Sequence, residues 1–283
     1  MKEMGKLSGF LRLIRPPNCI IMGFAVIVGA SLVSPPDLSI NLFFGFVTSF
    51  TLTGASMAIN DYYDRDVDAI NEPNRPIPSG MVGPREALSF ALVLSLVGFA
   101  AALVTNISCL IVAVIAWAIF VTYTTKGKRT GLPGNFLVSA CVAIPFIYAS
   151  FVVEERLELA VTIFAAMAFL SNTGREVAKG IVDVEGDRSQ NIKTIAVSFG
   201  DRTAAFVAAV FFFSAVTLSP LPLLWGLVSS WFLPFVVLTD IGLILSSFLL
   251  VRDYSRKNAR RVKNSILIWF ITGLSAFIAG TLG

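Results

Sequence analysis

The chain has no histidine among its 283 residues. That excludes histidine-based acid–base chemistry, histidine metal ligands and haem held by an axial histidine. Charge is scarce too: Asp, Glu, Lys and Arg make up 14% of the sequence, against about a quarter in soluble domains. With 55% hydrophobic residues and a mean hydropathy of +0.79, the chain cannot cover an aqueous surface with polar groups. The solvent it requires is a lipid bilayer. Cysteine is limited to Cys19, Cys109 and Cys141, each in an apolar run and none in a CxxC pair, so these read as small buried residues.

What is present is apolar sequence. A spanning helix needs ~20 predominantly apolar residues. Nine stretches qualify: 16–33, 38–59, 85–104, 107–123, 133–152, 157–173, 203–225, 228–250 and 263–282. The segments between them are too short to form a soluble domain, so residues 1–283 read as a single all-α, multi-pass membrane domain. With the N-terminus cytoplasmic, segments 1–15, 60–84, 124–132, 174–202 and 251–262 and their flanks hold every Lys and Arg except Arg156. Basic residues concentrate on the cytoplasmic side of membrane proteins. A miscounted span would split the basic loops between the two sides, so the bias supports nine transmembrane helices. The basic start followed by an apolar run reads as a first membrane helix rather than a cleaved leader. The net charge of +4 suits anionic lipid headgroups better than nucleic acid.

The 18 acidic residues are the informative minority. Glu154, Glu155 and Glu158 fall in an outer loop and read as solvated. Most of the others lie in two cytoplasmic segments. The first is "NDYYDRDVD", residues 60–68. If the second span continues as a helix through it, Asp61, Asp64 and Asp68 fall within about 60° of one another, while Asp66 points nearly the opposite way. Asn60 stands one turn before Asp64. Like charges at this spacing destabilise a bare helix, so the stripe calls for a cation; the plain alternative is a solvated helix end. Oxygen donors of this kind suit Mg²⁺ or Mn²⁺.

The second segment is "REVAKGIVDVEGDRSQNIKTIAVSFG", residues 175–200. Asp183 and Asp187 share a helix face, Lys179 precedes them by one turn, and Glu185 points away. "SGMVGPREAL" and "VSFGDRTAAF" end the two loops alike, a faint internal repeat. Two carboxylate clusters facing one cavity would hold about two or three divalent ions and call for a polyanionic ligand, of which diphosphate is the natural candidate. Arg75, Lys179 and Lys193, with Arg15, Lys126 and Arg129 from neighbouring loops, could take its remaining oxygens. Any one of them could equally be a topology-setting charge.

These residues resemble a known family. "NDYYDRDVD" is similar to the NDxxDxxxD motif of the UbiA superfamily of intramembrane prenyltransferases, and "DVEGD" to its second motif, DxxxD. The resemblance spans the whole chain. It implies a Mg²⁺-dependent enzyme that moves an isoprenyl chain from its diphosphate to a lipophilic acceptor. It also implies that Asn60, Asp61, Asp64, Asp68, Asp183 and Asp187 bind the metal–diphosphate, with Asp64, Asp68 and Asp183 catalytic. Within the superfamily, "RPPN", "INEPNRPIPSG" and "KTIAVSFG" most resemble the archaeal digeranylgeranylglyceryl phosphate synthases, whose acceptor is geranylgeranylglyceryl phosphate. Chlorophyll-type synthases share much of "DAINEPNRPIPSG", so aromatic or chlorin acceptors stand as alternatives.

An allylic cation formed when the diphosphate departs could be stabilised by aromatic faces. Tyr62, Tyr123, Trp117 and Tyr148 are candidates, each of which could instead simply pack. Asp240, midway through an apolar span, is expected to face the bundle interior and bond a Ser, Thr or Tyr. A cation-coupled transporter is the rival from another class. Its sites would lie near the bilayer midplane, whereas both acidic segments follow the ends of spans.

Overall fold

A computed structural model describes residues 2–34 and 39–282. Among these residues all regular structure is helical: α1 (Lys2–Ile14), α2 (Pro16–Ser31), α3 (Ile40–Asn71), α4 (Pro84–Thr105), α5 (Ile107–Thr125), α6 (Leu132–Glu154), α7 (Leu159–Ser189), α8 (Ile195–Phe199), α9 (Asp201–Leu218), α10 (Leu221–Leu224), α11 (Phe232–Arg252) and α12 (Arg256–Gly280). A three-residue 3-10 turn, Gly127–Arg129, joins α5 to α6. Polar residues close the helix starts, as Ser39 does for α3, Asn106 for α5 and Ser255 for α12. Prolines stand in the first turn of α2, α4 and α6, where a missing N–H costs nothing.

Each of the nine apolar stretches falls mainly on a helix, with position 38, at the start of the second, outside the described residues. Seven helical segments are each long and apolar enough to cross a membrane, and α1 with α2, bent by 42° about Arg15, makes an eighth. The expected stretch 203–225 is interrupted: α9 ends at Leu218, and Ser219–Pro220 turns the chain into the short α10. Helix α7 differs in composition. Its apolar half gives way at Ser171-Asn172-Thr173-Gly174-Arg175, and the helix continues to Ser189 as an amphipathic segment whose Val177, Ala178, Ile181 and Val182 are buried in the core.

Helices α3 and α7 have 32 and 31 residues and carry one acidic motif each near their C-terminal ends. At 1.5 Å per residue both exceed ~45 Å, well beyond the ~30 Å of a hydrocarbon core. Each anchors half of the bundle. Helix α3 packs on α1, α2, α4, α5 and α6; α7 packs on α6, α8, α9 and α12; α6 touches both. Lipid supplies no hydrophobic drive between helices, so close packing of small residues holds them together. A Cβ on Gly29 would lie 2.7 Å from Ala149 Cβ across α2–α6, and one on Gly242 would lie 2.2 Å from the Trp269 ring across α11–α12.

The bundle leaves two apolar cavities. One of ≈260 Å³ lies between α2, α3, α5 and α6, lined among others by Met22, Thr48, Met57, Trp117, Phe120 and Tyr148. The other, ≈170 Å³, lies between α6, α7, α11 and α12. Val142 borders both.

Candidate active site

Helix α3 runs unbroken through the first motif, so 3.6-residue periodicity sorts its aspartates as expected. Asp61 and Asp68 have side chains 3% and 9% exposed, Asp64 is 26% exposed, and Asp66 is 85% exposed. Asn60 Nδ2 donates to Asp64 Oδ2 at 3.0 Å. Among the described residues the one cation that Asp66 meets is Arg65, at 3.7 Å.

Each inward aspartate is held by a cation from another segment. Arg15 Nη2 donates to Asp61 Oδ1 at 2.5 Å. Arg15 takes a left-handed backbone (φ 50°, ψ 69°) at the joint between α1 and α2, immediately before Pro16 and Pro17. Such conformations in non-glycine residues are held only where the surroundings impose them. Here the joint directs the guanidinium back onto α3. Its Nη1 also reaches Met57 Sδ at 3.6 Å, and Met57 lines the larger cavity. The acidic face therefore adjoins the mouth of an apolar chamber. Arg75, from the "NRPIPSG" turn, donates to Asp68 Oδ2 at 2.5 Å and lies 3.6 Å from Asp61. Lys128 Nζ bonds Asp64 Oδ1.

On α7, Asp183 and Asp187 are half-buried and Glu185 is exposed, its carboxylate paired with Arg256 at 2.9 Å. Burial, then the charge of Asp183, pushes the Asp187 carboxyl above its ordinary range, with Lys179 offsetting part of the shift. The turn between α5 and α6 joins the two motifs at one end of the bundle. Lys128 contacts Asp64 of α3, and the next residue's carbonyl, Arg129 O, accepts from Lys193 N–H at 3.3 Å. Gly131, at φ +70°, makes this contact possible, because a Cβ there would lie 2.0 Å from Lys193 O.

Of the six basic residues expected at the site, Arg15 and Arg75 neutralise carboxylates of α3, and Lys179 contacts Glu176 at 3.4 Å. Lys126, Arg129 and Lys193 are exposed and hold no ion pair among the described residues. Two residues escaped the sequence reading. Lys128, between Lys126 and Arg129, has no sequence signal of its own, because no periodicity ranks residues within a three-residue turn. Glu176, only 12% exposed and bonded by Arg175 at 2.9 Å, lies seven residues before Asp183 on the same face. That spacing was there to be read.

Among the aromatic candidates, Trp117 and Tyr148 line the larger cavity with Phe120, whereas the Tyr62 ring is covered by Arg65 at 4.7 Å. Asp240 accepts from Ser219 Oγ at 2.6 Å, tying α11 to the end of α9 as an interhelix bond. Cys19 and Cys109 are buried free thiols, and Cys141 lines the cavity.

The donor set of the site is oxygen from Asp and Asn. Among the described residues no three carboxylates converge as a closed cage. A cation here would complete its shell with water or substrate oxygens. That fits Mg²⁺, which ordinarily binds through one or two carboxylates plus waters and phosphates.

Known proteins resemble this chain in sequence and fold. The UbiA prenyltransferase family profile matches residues 22–271. The digeranylgeranylglyceryl phosphate synthase of Methanopyrus kandleri is 36% identical over 98% of this chain and 100% of its own, and that of Archaeoglobus fulgidus is 34% identical over 98% of each. A solved structure of digeranylgeranylglyceryl phosphate synthase in membranes superposes with a TM-score of 0.90 at 30% identity, covering 98% of this chain and 99% of that one. A UbiA homologue from Archaeoglobus fulgidus, solved with GPP and Mg²⁺, shares the fold at a TM-score of 0.71 and 17% identity, over 95% of this chain and 99% of that one. These matches decide between enzyme and transporter: matched over residues 22–271 by the family profile and over 98% of its length by its relatives, the chain belongs to the UbiA prenyltransferase family.

Proposed function

We propose that the protein transfers a geranylgeranyl group from geranylgeranyl diphosphate to geranylgeranylglyceryl phosphate, forming the second ether bond of an archaeal lipid core. The observation that carries this reading is the full-length match to digeranylgeranylglyceryl phosphate synthases, at 36% identity over 98% of the chain. Nine spans with a cytoplasmic N-terminus, as the distribution of basic residues indicates, set both motifs at the cytoplasmic face of the cell membrane.

In this reading Asn60, Asp61, Asp64, Asp68, Asp183 and Asp187 hold the metal–diphosphate. Bound Mg²⁺, with Mn²⁺ as a substitute, would neutralise the diphosphate oxygens as charge builds on them. Lys126, Arg129 and Lys193, unencumbered by carboxylates, take phosphate oxygens directly. Arg15 and Arg75 hold Asp61 and Asp68 in register. The isoprenyl tail enters the chamber past Met57, where apolar walls exclude water from the allylic carbon. Trp117 and Phe120 present aromatic faces to the cationic chain, each worth ~0.5–2 kcal/mol. The C–O bond to diphosphate breaks, a glycerol hydroxyl oxygen bonds to the freed carbon, and its proton must leave. Asp68 is already engaged by Arg75, so the departing diphosphate is the more accessible acceptor.

The test is direct. Protein purified in detergent is incubated with Mg²⁺ and geranylgeranyl diphosphate, with geranylgeranylglyceryl phosphate or an aromatic acceptor. A diether product only from the glyceryl phosphate is expected. Prenylation of the aromatic compound alone would move the protein to the quinone branch, and no product with any acceptor would refute the enzyme reading.

A further inference from the structure

Lys128 belongs to neither acidic motif, yet its ammonium holds an oxygen of the first. Asp61 and Asp68 share Nη1 of Arg75, Asp61 has Arg15 as well, and both carboxylates are almost fully buried. Asp64 is different. Its side chain is 26% exposed, its partner is a single ammonium 24% exposed, and its other oxygen accepts from Asn60. Each oxygen therefore already has one partner, and a divalent ion that ligates Oδ1 must share it with the Lys128 ammonium, against like-charge repulsion, or displace it.

The turn that carries Lys128 is anchored. Thr130 Oγ1 donates to Gly127 O at 2.6 Å, and α6 presses so closely that a Cβ on Gly134 would lie 2.2 Å from Gly127 O. Arg129 O is bonded to the second loop. The root of Lys128 is thus fixed while its four-carbon stem is not. An ammonium is a point charge with freely turning donors, so it can pass from a carboxylate to a phosphate without backbone movement.

We propose that Lys128 is a positioning residue that competes with the divalent ion for Asp64 and is released onto the diphosphate as that ligand arrives. This rests on the metal–diphosphate reading above. A bare divalent ion meets a carboxylate stripe already neutralised by three internal cations. An ion arriving with diphosphate brings the anion that takes Lys128 away. Metal affinity and diphosphate affinity are then coupled, and coupling is reciprocal.

The full chain in detergent is titrated with Mn²⁺, a paramagnetic stand-in for Mg²⁺, and bound ion is counted by electron paramagnetic resonance. Each titration is run with and without methylenediphosphonate and against the same mixture lacking protein. The wild type should bind Mn²⁺ about tenfold more tightly with the diphosphonate. Lys128→Gln should bind Mn²⁺ alone about tenfold more tightly than the wild type and lose most of the coupling, while Lys128→Arg keeps it. A merely structural lysine would give the opposite sign, a loss of metal on substitution. If the wild type shows coupling and Lys128→Gln binds Mn²⁺ alone no better, Lys128 does not compete for Asp64 and the proposal falls. If the wild type binds no Mn²⁺ in either condition, the metal–diphosphate reading itself fails and takes the proposal with it. Should Lys128→Gln unfold, Lys128→Met, closer in length and apolar bulk, carries the same comparison.

Discussion

Replacing Arg75 with alanine removes the cation that two buried carboxylates share. Asp68 Oδ2 loses its partner at 2.5 Å, and Asp61 loses a second guanidinium at 3.6 Å. Breaking a buried ion pair from one side costs ~3–5 kcal/mol, because a desolvated charge is left uncompensated. Two features reduce that figure here: the Arg75 side chain is 32% exposed, and Asp61 keeps Arg15. About 2–3 kcal/mol is a reasonable expectation, equivalent to a fall in detergent Tm of roughly 5–10 °C. The informative measurement is a double-mutant cycle. Asp68→Asn in the Arg75→Ala background removes the orphaned charge and should recover at least half of the loss. Arg75→Lys should recover part of it, because a single nitrogen, Nη1, makes both contacts and an ammonium can stand in for one such donor. An Arg75→Ala protein melting within about 2 °C of the wild type would show that water or rearrangement already screens this pair, and the account of the site as three internally neutralised aspartates would be wrong.

The exposure difference along α3 predicts that Asp66→Asn leaves diphosphate release within about twofold of the wild type, whereas Asp64→Asn or Asp183→Asn lowers it by at least ~10³-fold; comparable activity in all three would dissolve the stripe argument. Chelation with EDTA should stop turnover and added Mg²⁺ restore it, with activity that survives exhaustive chelation as the contrary result. Ala116→Phe places a ring in the larger cavity and should lower kcat/KM for geranylgeranyl diphosphate about tenfold or more while sparing dimethylallyl diphosphate. An equal loss on both donors would mean the tail lies elsewhere. Gly242→Ala puts a methyl 2.2 Å from the Trp269 ring, so a Tm loss matching ~1–3 kcal/mol is expected from differential scanning, and an unchanged Tm would show that α11 and α12 can separate freely.

Much of this was legible before any fold was known. The apolar runs mark the helices because lipid permits little else, and the helical period separated Asp61, Asp64 and Asp68 from Asp66. Expecting Asp240 to find a hydroxyl partner required only the cost of a charge in hydrocarbon. Pro220 ends α9 by local rule, yet Asp201–Leu224 still makes one apolar span across the two-residue lapse at Ser219–Pro220. Other features could not be read that way. Helix α7 turns from apolar to amphipathic, and packing decides that Val177, Ala178, Ile181 and Val182 enter the core while Asp183 and Asp187 stay half-buried.

The sequence by itself determined that this is a helical membrane chain with two carboxylate stripes, since both follow from composition and from a 3.6-residue repeat that acts within a single helix. Only the tertiary structure decided which cation neutralises which carboxylate. Arg15 reaches Asp61 across 46 residues and Lys128 reaches Asp64 across 64, by way of a strained joint and a glycine-bound turn. Such pairings depend on where helix ends meet in space, and helix packing sets that rather than any local period. For the same reason Lys128, rather than Lys126 or Arg129, holds Asp64.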